Sequence, residues 1–272
     1  MVKACKPLFL LHLVLWVPLV LWSPVCTDAS DELYALRENT HTKKFFEKAL
    51  DVFTVKIPEA FEERLRNSYK YIDLILEIFS EKEIPKELAY LPLIESGFST
   101  FSVGPGGAVG LWQFVKSTAE EYGLRVDRYV DERRDPLKST HAAADYLKDL
   151  YSVFGSWDLT LAAYNAGEGK LKRLMSSSYR TMNLPSVIKR YLGKFMAAST
   201  VAQNPEYYGF DSQEEVESEE VEYKEITTHE EMSLKTVARM YYTSVKMLRD
   251  LNPALLMDRT PPYRYTIRVP DH

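Results

Sequence analysis

The chain has 272 residues, 46% of them apolar, and a formal net charge of −5. That length can bury one sizeable core and a small second one. A mildly acidic chain lacks the basic face that a nucleic-acid partner requires, so nucleic acid is excluded as a ligand.

In chain order, residues 1–29 stand apart. Lys3 and Lys6 precede an apolar run from Pro7 to Trp22, followed by the short polar exit Ser23 to Ala29. A positive start, an apolar centre and a polar exit describe a secretory signal. The run is short for a bilayer span, and an uncleaved anchor attaching the chain to a membrane is the alternative. Cys26 invites lipidation, but Val25 before it is branched where such signals place a small residue. The chain is therefore expected to be exported to the periplasm or cell envelope. Cys5 and Cys26 are the only cysteines, so a mature chain would hold neither an internal disulfide nor a thiolate metal site. The five histidines are scattered and lack HExxH spacing. No metal and no cofactor is implied.

Residues 30–84 form an N-terminal helical segment. Asp31 to Phe53 reads as a helix leading to a connector. Pro58 to Ser80 places Phe61, Leu65, Tyr69, Ile72, Ile75, Leu76 and Phe79 at helical spacing, which predicts one long amphipathic helix with a core-facing stripe.

The next stretch carries the chemistry. From Leu88 to Val115 the only side chain of a charged type is Glu95. Pro85 suits the start of a helix and Gly97 its end, which puts Glu95 in the last turn. Burial disfavours a carboxylate, and so does the negative end of a helix. Both would hold a proton near neutral pH, as a general acid requires. The alternative is a helix-end glutamate facing water. The cluster Gly104, Gly106, Gly107 and Gly110 lacks both phosphate-loop spacings and follows a helix, so nucleotide binding is rejected.

Further on, Lys116 to Gly123 is a short helix with a glycine stop. Asp127 to Asp135 is a charged loop, and Asp135 caps a helix that begins at Pro136. Ser156 starts another helix ending at Gly167, and Pro185 to Gln203 is a further amphipathic one. Nothing in this half alternates like a strand. Residues 211–220 are an acidic linker. Residues 221–272 read as strand, helix, helix, strand, with Tyr263 to Val269 alternating.

Two aromatic–amide pairs, Trp112-Gln113 and Tyr164-Asn165, suit a sugar, with the ring on an apolar face and the amide on hydroxyl and N-acetyl groups. A core tryptophan and a capping asparagine explain them as well. Glu95-Ser96-Gly97-Phe98, Gly110 to Phe114 and Ala163 to Gly169, in that order, resemble the lytic transglycosylases with the soluble-lytic-transglycosylase, goose-lysozyme-like fold, in particular the membrane-bound transglycosylase D type. The resemblance covers about residues 85–210 and includes Asp131 to Pro136 and Leu184 to Tyr191. The tail is similar to LysM peptidoglycan-binding domains through Val237-Ala238, Leu248 to Pro253 and Ile267 to Pro270, although the usual Gly-Asp is missing around Glu230 to Met232.

The resemblance implies a mainly α fold, with a lysozyme-like all-helical catalytic domain over 85–210 and a small α+β (βααβ) LysM-like module over 221–272. It implies peptidoglycan glycan strands as partner. The bond cut would lie between N-acetylmuramic acid and N-acetylglucosamine, with a 1,6-anhydro product and Glu95 as the single catalytic acid and base. Ser96 would orient Glu95, Gln113 and Asn165 would hold the sugar, and Phe114 would belong to the substrate site. Tyr164 would sit beside the oxocarbenium-like centre and Tyr191 would line the cleft. Trp112 is core or contact. A lysozyme-like hydrolase and a non-catalytic wall-binding protein are the alternatives. Departures from the family are Val187-Ile188 where Glu-Thr is common, Thr100 and Lys116 in place of proline, and Gly104 in place of serine. The tail is expected to add affinity as a tethered module, by effective concentration.

Overall fold

The computed structural model describes residues 32, 33, 35, 40–176, 184–211 and 221–271. The expected signal or anchor and nearly all of the acidic linker lie outside these residues. Among the described residues no helix is long and apolar enough to cross a membrane.

The helices are α1 (Thr40–Asp51), α2 (Pro58–Ser68), α3 (Ile72–Glu81), α4 (Pro92–Glu95), α5 (Lys116–Glu121), α6 (Pro136–Phe154), α7 (Trp157–Ala166), α8 (Glu168–Ser176) and α9 (Ser186–Gln203). The tail adds β1 (Tyr223–Thr228), α10 (Leu234–Met240), α11 (Val245–Leu251) and β2 (Tyr265–Pro270). A mainly helical domain with a β-α-α-β tail is thus what the sequence pattern expects.

One apolar core runs from Leu33 to Phe210, so the N-terminal segment shares it with the helices that follow. Phe53 and Phe61 stack at 4.3 Å, and Glu32 caps α7 by accepting the Trp157 N–H at 2.9 Å. The helix α9 crosses α1 closely because residue 193 is glycine. A Cβ there would meet the Phe45 carbonyl carbon at 2.7 Å.

Two helices differ from expectation. The stripe over 58–80 is split by a turn at residues 69–71, although Phe61, Leu65, Ile72, Ile75 and Phe79 all reach the core. The helix expected from Pro85 to Gly97 is a 3-10 turn over Lys86–Tyr90 followed by the four-residue α4. Pro92 has no N–H for the Leu88 carbonyl, which takes the Leu91 N–H instead at 3.0 Å. The α-helical ladder therefore starts afresh at Pro92.

The tail pairs β1 with β2 antiparallel, with Ile226 opposite Ile267. Ser233 and Ser244 cap α10 and α11 through the N–H groups of Thr236 and Met247. This module is docked on the helical domain by the segment 125–135. Val130 bridges to Leu255, Leu256 N–H donates to Tyr129 O, and Asp131 N–H donates to Ala254 O, the last two at 2.9 Å. Tyr129 and Val130 belong to the module's own apolar core. The charged loop over 127–135 is therefore largely buried at this junction. Asp131, Glu132, Arg133 and Asp135 are each under 8% exposed.

Candidate active site

Glu95 is the last residue of α4, half-buried at the side of a cleft of about 430 Å³. The segment is fixed by two helices. Arg64 and Asn67 of α2 donate to the carbonyls of Leu93 and Gly97 at 3.4 and 3.3 Å, and Lys194 of α9 donates to the carbonyl of Ile94 at 3.3 Å. Two cations thus sit at the carbonyl end of α4 and offset the negative helix end. Gly97 turns the chain away with φ +64°, and a Cβ there would lie 2.9 Å from the Arg64 Cγ.

The Tyr191 hydroxyl donates to Glu95 Oε1 at 2.6 Å. Burial pushes the Glu95 carboxyl above its ordinary value, while the Tyr191 hydrogen bond and the Lys194 charge pull the other way. The Tyr191 and Tyr164 phenols are held well above their ordinary value, first by burial and then by the charge of Glu95, so both remain protonated donors. The Tyr164 hydroxyl donates to the carbonyl of Trp112 at 2.6 Å, which ties α7 to the turn over 110–114.

That turn presents Gln113. Its backbone is left-handed at φ 52°, a strained position for a residue with a side chain. The surrounding bonds hold it there. Gln113 N–H donates to Gly110 O at 3.3 Å, Val109 N–H to Phe114 O at 3.1 Å, and Gln113 Nε2 to Gly110 O at 2.9 Å. Gly110 is obligatory, since a Cβ would lie 1.9 Å from the Arg133 carbonyl oxygen. Gly104, which stands where serine is common, leaves room for the Gln113 amide. A Cβ there would meet Oε1 at 2.2 Å.

The cleft brings together Glu95, Gln113, Phe114, Tyr164 and Asn165. Tyr191, expected to line the cleft, is not among its lining residues and reaches the site through its hydrogen bond to the Glu95 carboxyl. The Ser96 hydroxyl donates to the carbonyl of Leu111 at 2.9 Å, so it joins the Glu95 segment to the Gln113 turn. Trp112 is fully buried and its indole N–H donates to Thr140 Oγ1 at 3.1 Å, which makes it core. Asp127, Asp131 and Asp135 serve the module junction. Tyr146 and Thr118 line the cleft as well, without a sequence signal. Tyr146 continues a series of rings with Phe114 at 6.0 Å and Tyr164 at 5.4 Å. In α6 it is one aromatic residue at core spacing, which reads as packing. Glu95 is the only carboxyl among the lining residues.

The arrangement can lend and reclaim a proton beside bound hydroxyl and amide groups. Residues 74–184 match the transglycosylase SLT domain model, and residues 222–272 match the LysM-like domain of lytic transglycosylase MltD. Membrane-bound lytic murein transglycosylase D of Escherichia coli K12 is 34% identical over 181 residues, which covers 63% of this chain and 40% of that protein. Peptidoglycan transglycosylase gp16 of phage T7 is 34% identical over 113 residues, 41% of this chain and 9% of that protein. The chain thus spans well under half the length of these two relatives. The 70 kDa soluble lytic transglycosylase of Escherichia coli aligns with a TM-score of 0.44 at 21% identity, over 68% of this chain and 32% of that one. The chain thus carries a transglycosylase SLT domain over residues 74–184 and a LysM-like domain of the MltD kind over residues 222–272.

Proposed function

We propose that the protein is a peptidoglycan lytic transglycosylase that cuts between N-acetylmuramic acid and N-acetylglucosamine, with Glu95 as its only catalytic acid and base. The observation that carries this reading is the lone Glu95 carboxyl in the cleft, raised in pKa by burial and hydrogen-bonded by Tyr191. A glycosidase that activates water or forms a glycosyl-enzyme uses two carboxyl groups across the scissile bond. Here one group does both jobs in turn.

Neutral Glu95 donates its proton to the bridging oxygen as the bond from that oxygen to the muramoyl C1 breaks. The released end leaves with a new hydroxyl. The muramoyl C6 oxygen then bonds to C1, and Glu95, now an anion, takes the C6 hydroxyl proton. The ring is closed as a 1,6-anhydro sugar, the acid is restored, and no water is consumed. Tyr191 stabilises the anion between the two transfers. Gln113 and Asn165 hold the sugar, Tyr164 and Phe114 supply ring surface, and Ser96 keeps the acid in register with Gln113. The same reading places the protein in the cell envelope, where its substrate is.

Purified sacculi digested with the full chain are expected to release muropeptides whose ends are one water lighter than reducing ends. Products with reducing ends only would establish a hydrolase. Binding without any cleavage would establish a wall-binding protein.

A further inference from the structure

The docked tail leaves a second groove, outside the catalytic cleft and walled by both domains. Its volume is about 700 Å³, larger than that of the cleft. Lys70, Tyr71 and Phe101 stand on the helical domain's side, and Tyr223, Lys246 and Arg268 on the module's side. Phe101 is 60% exposed and Tyr223 47%, so two large rings face water where the domains meet. Exposed apolar surface gathered in a groove marks a contact site. Each ring is backed by an arginine, Arg134 at 5.7 Å from the Phe101 centroid and Arg268 at 5.5 Å from that of Tyr223. Each ring thus has a cationic neighbour within cation–π range.

The charge in the groove runs against that of the chain. The protein is net acidic, yet the groove is lined by three cations and one acid, Asp250. Arg268 is committed to Asp135 at 3.0 Å. The Lys246–Asp250 pair is solvent-exposed and holds its lysine weakly. Lys70 has no ion pair among the described residues. Two ammonium groups are thus available beside two rings. The loop after Gly97 also connects the groove to the cleft. Its Phe101 lines the groove and its Pro105 lines the cleft. Four extended residues reach at most ~14 Å, so the two sites lie within a short run of glycan of each other.

We propose that this interdomain groove is a second substrate-binding site. It holds the part of the peptidoglycan strand that extends beyond the sugars at Glu95. Amino-sugar faces rest on Phe101 and Tyr223, and the carboxylates carried on the muramoyl units meet Lys70 and Lys246. This rests on the function proposed above. It makes the tail one wall of the enzyme's binding surface, at a fixed distance from the acid.

The test uses the full chain with Glu95→Gln, so that the readout is binding and does not depend on turnover. Two further variants are made on it, Lys70→Glu with Phe101→Ala on one wall and Tyr223→Ala on the other. Long glycan strands are compared with strands too short to leave the cleft. Each variant is expected to weaken binding of long strands about tenfold and to leave binding of short strands and Tm unchanged. Equal binding of long strands by variants and parent overturns the proposal, as does a parallel loss on short strands. An effect from the first variant with none from Tyr223→Ala overturns the composite site. A wild type that makes no anhydro ends would remove the proposed function, while these binding results would still decide the groove.

Discussion

The cleft and the module junction both take carboxyl groups out of water, and they treat them in opposite ways. At the junction every buried acid has strong partners. Asp131 faces Arg133 through two hydrogen bonds of 2.8 Å, Asp135 caps α6 and pairs with Arg268, and Glu132 takes Lys138 and the Arg125 N–H. In the cleft Glu95 has one phenol and a lysine whose hydrogen bond goes to the neighbouring carbonyl. Burial alone does not distinguish an acid that works from one that holds the fold. The distinction is whether the anion is compensated. Asp127 makes the point at the junction. Partial burial would raise its carboxyl, but hydrogen bonds from Tyr263, Val130 and Tyr129 hold it below the ordinary value.

The largest expected effect is on chemistry. Glu95→Gln is expected to reduce release of soluble muropeptides about a thousandfold while wall binding persists. Turnover near the wild-type rate would break the comparison from the cleft side.

Breaking it from the other side needs an unpaired acid at the junction. Arg133→Met leaves Asp131 buried without its cation, and it removes the hydrogen bonds of the guanidinium to the carbonyls of Gly107 and Phe114. A loss of about 3–5 kcal/mol in unfolding free energy is expected, read by denaturant titration. A loss of a few tenths would mean that the ion pair is incidental to the fold.

A smaller effect sharpens the picture of Glu95. The reaction begins with the protonated acid, so activity falls as pH rises through its pKa. The Tyr191 hydroxyl favours the anion and lowers that pKa. Tyr191→Phe is therefore expected to move the alkaline limb of the kcat/KM profile to higher pH, and Lys194→Met to move it the same way. Tyr164, Tyr191 and Tyr146 face the site with phenols held above the ordinary value, so none of them titrates in this window. A limb that moves downward would reverse the assigned role of the hydroxyl. The smallest effect belongs to exposed pairs. Lys224→Ala removes a bridge to Asp271 whose side chains are about half exposed, and should cost under about 0.5 kcal/mol.

Much of this was legible before any coordinates. The Asp135 cap and the alternation of Tyr263 to Val269 are local signals, set by neighbours a few residues away, and they hold. Glu95 stood out because its chain neighbours carry no charge. What was not legible depends on distant partners. Tyr146 reads as core until α7 places Tyr164 beside it. The least legible part is the segment 127–135, whose charges read only as a loop. They are buried because a module about 120 residues later in the chain supplies Arg268, Tyr263 and the backbone of 254–256. A run of charges in the sequence does not reveal which surface will cover it. The same docking changes the expected role of the tail. Removing it would uncover Tyr129 and Val130 and leave Asp135 without Arg268, so the helical domain would lose stability along with wall affinity.

The central claim is that one acid completes the reaction without water. Digesting sacculi in heavy-oxygen water and weighing the new muramoyl ends tests it directly. The account predicts anhydro ends that carry no heavy oxygen. Reducing ends that carry the label would contradict it.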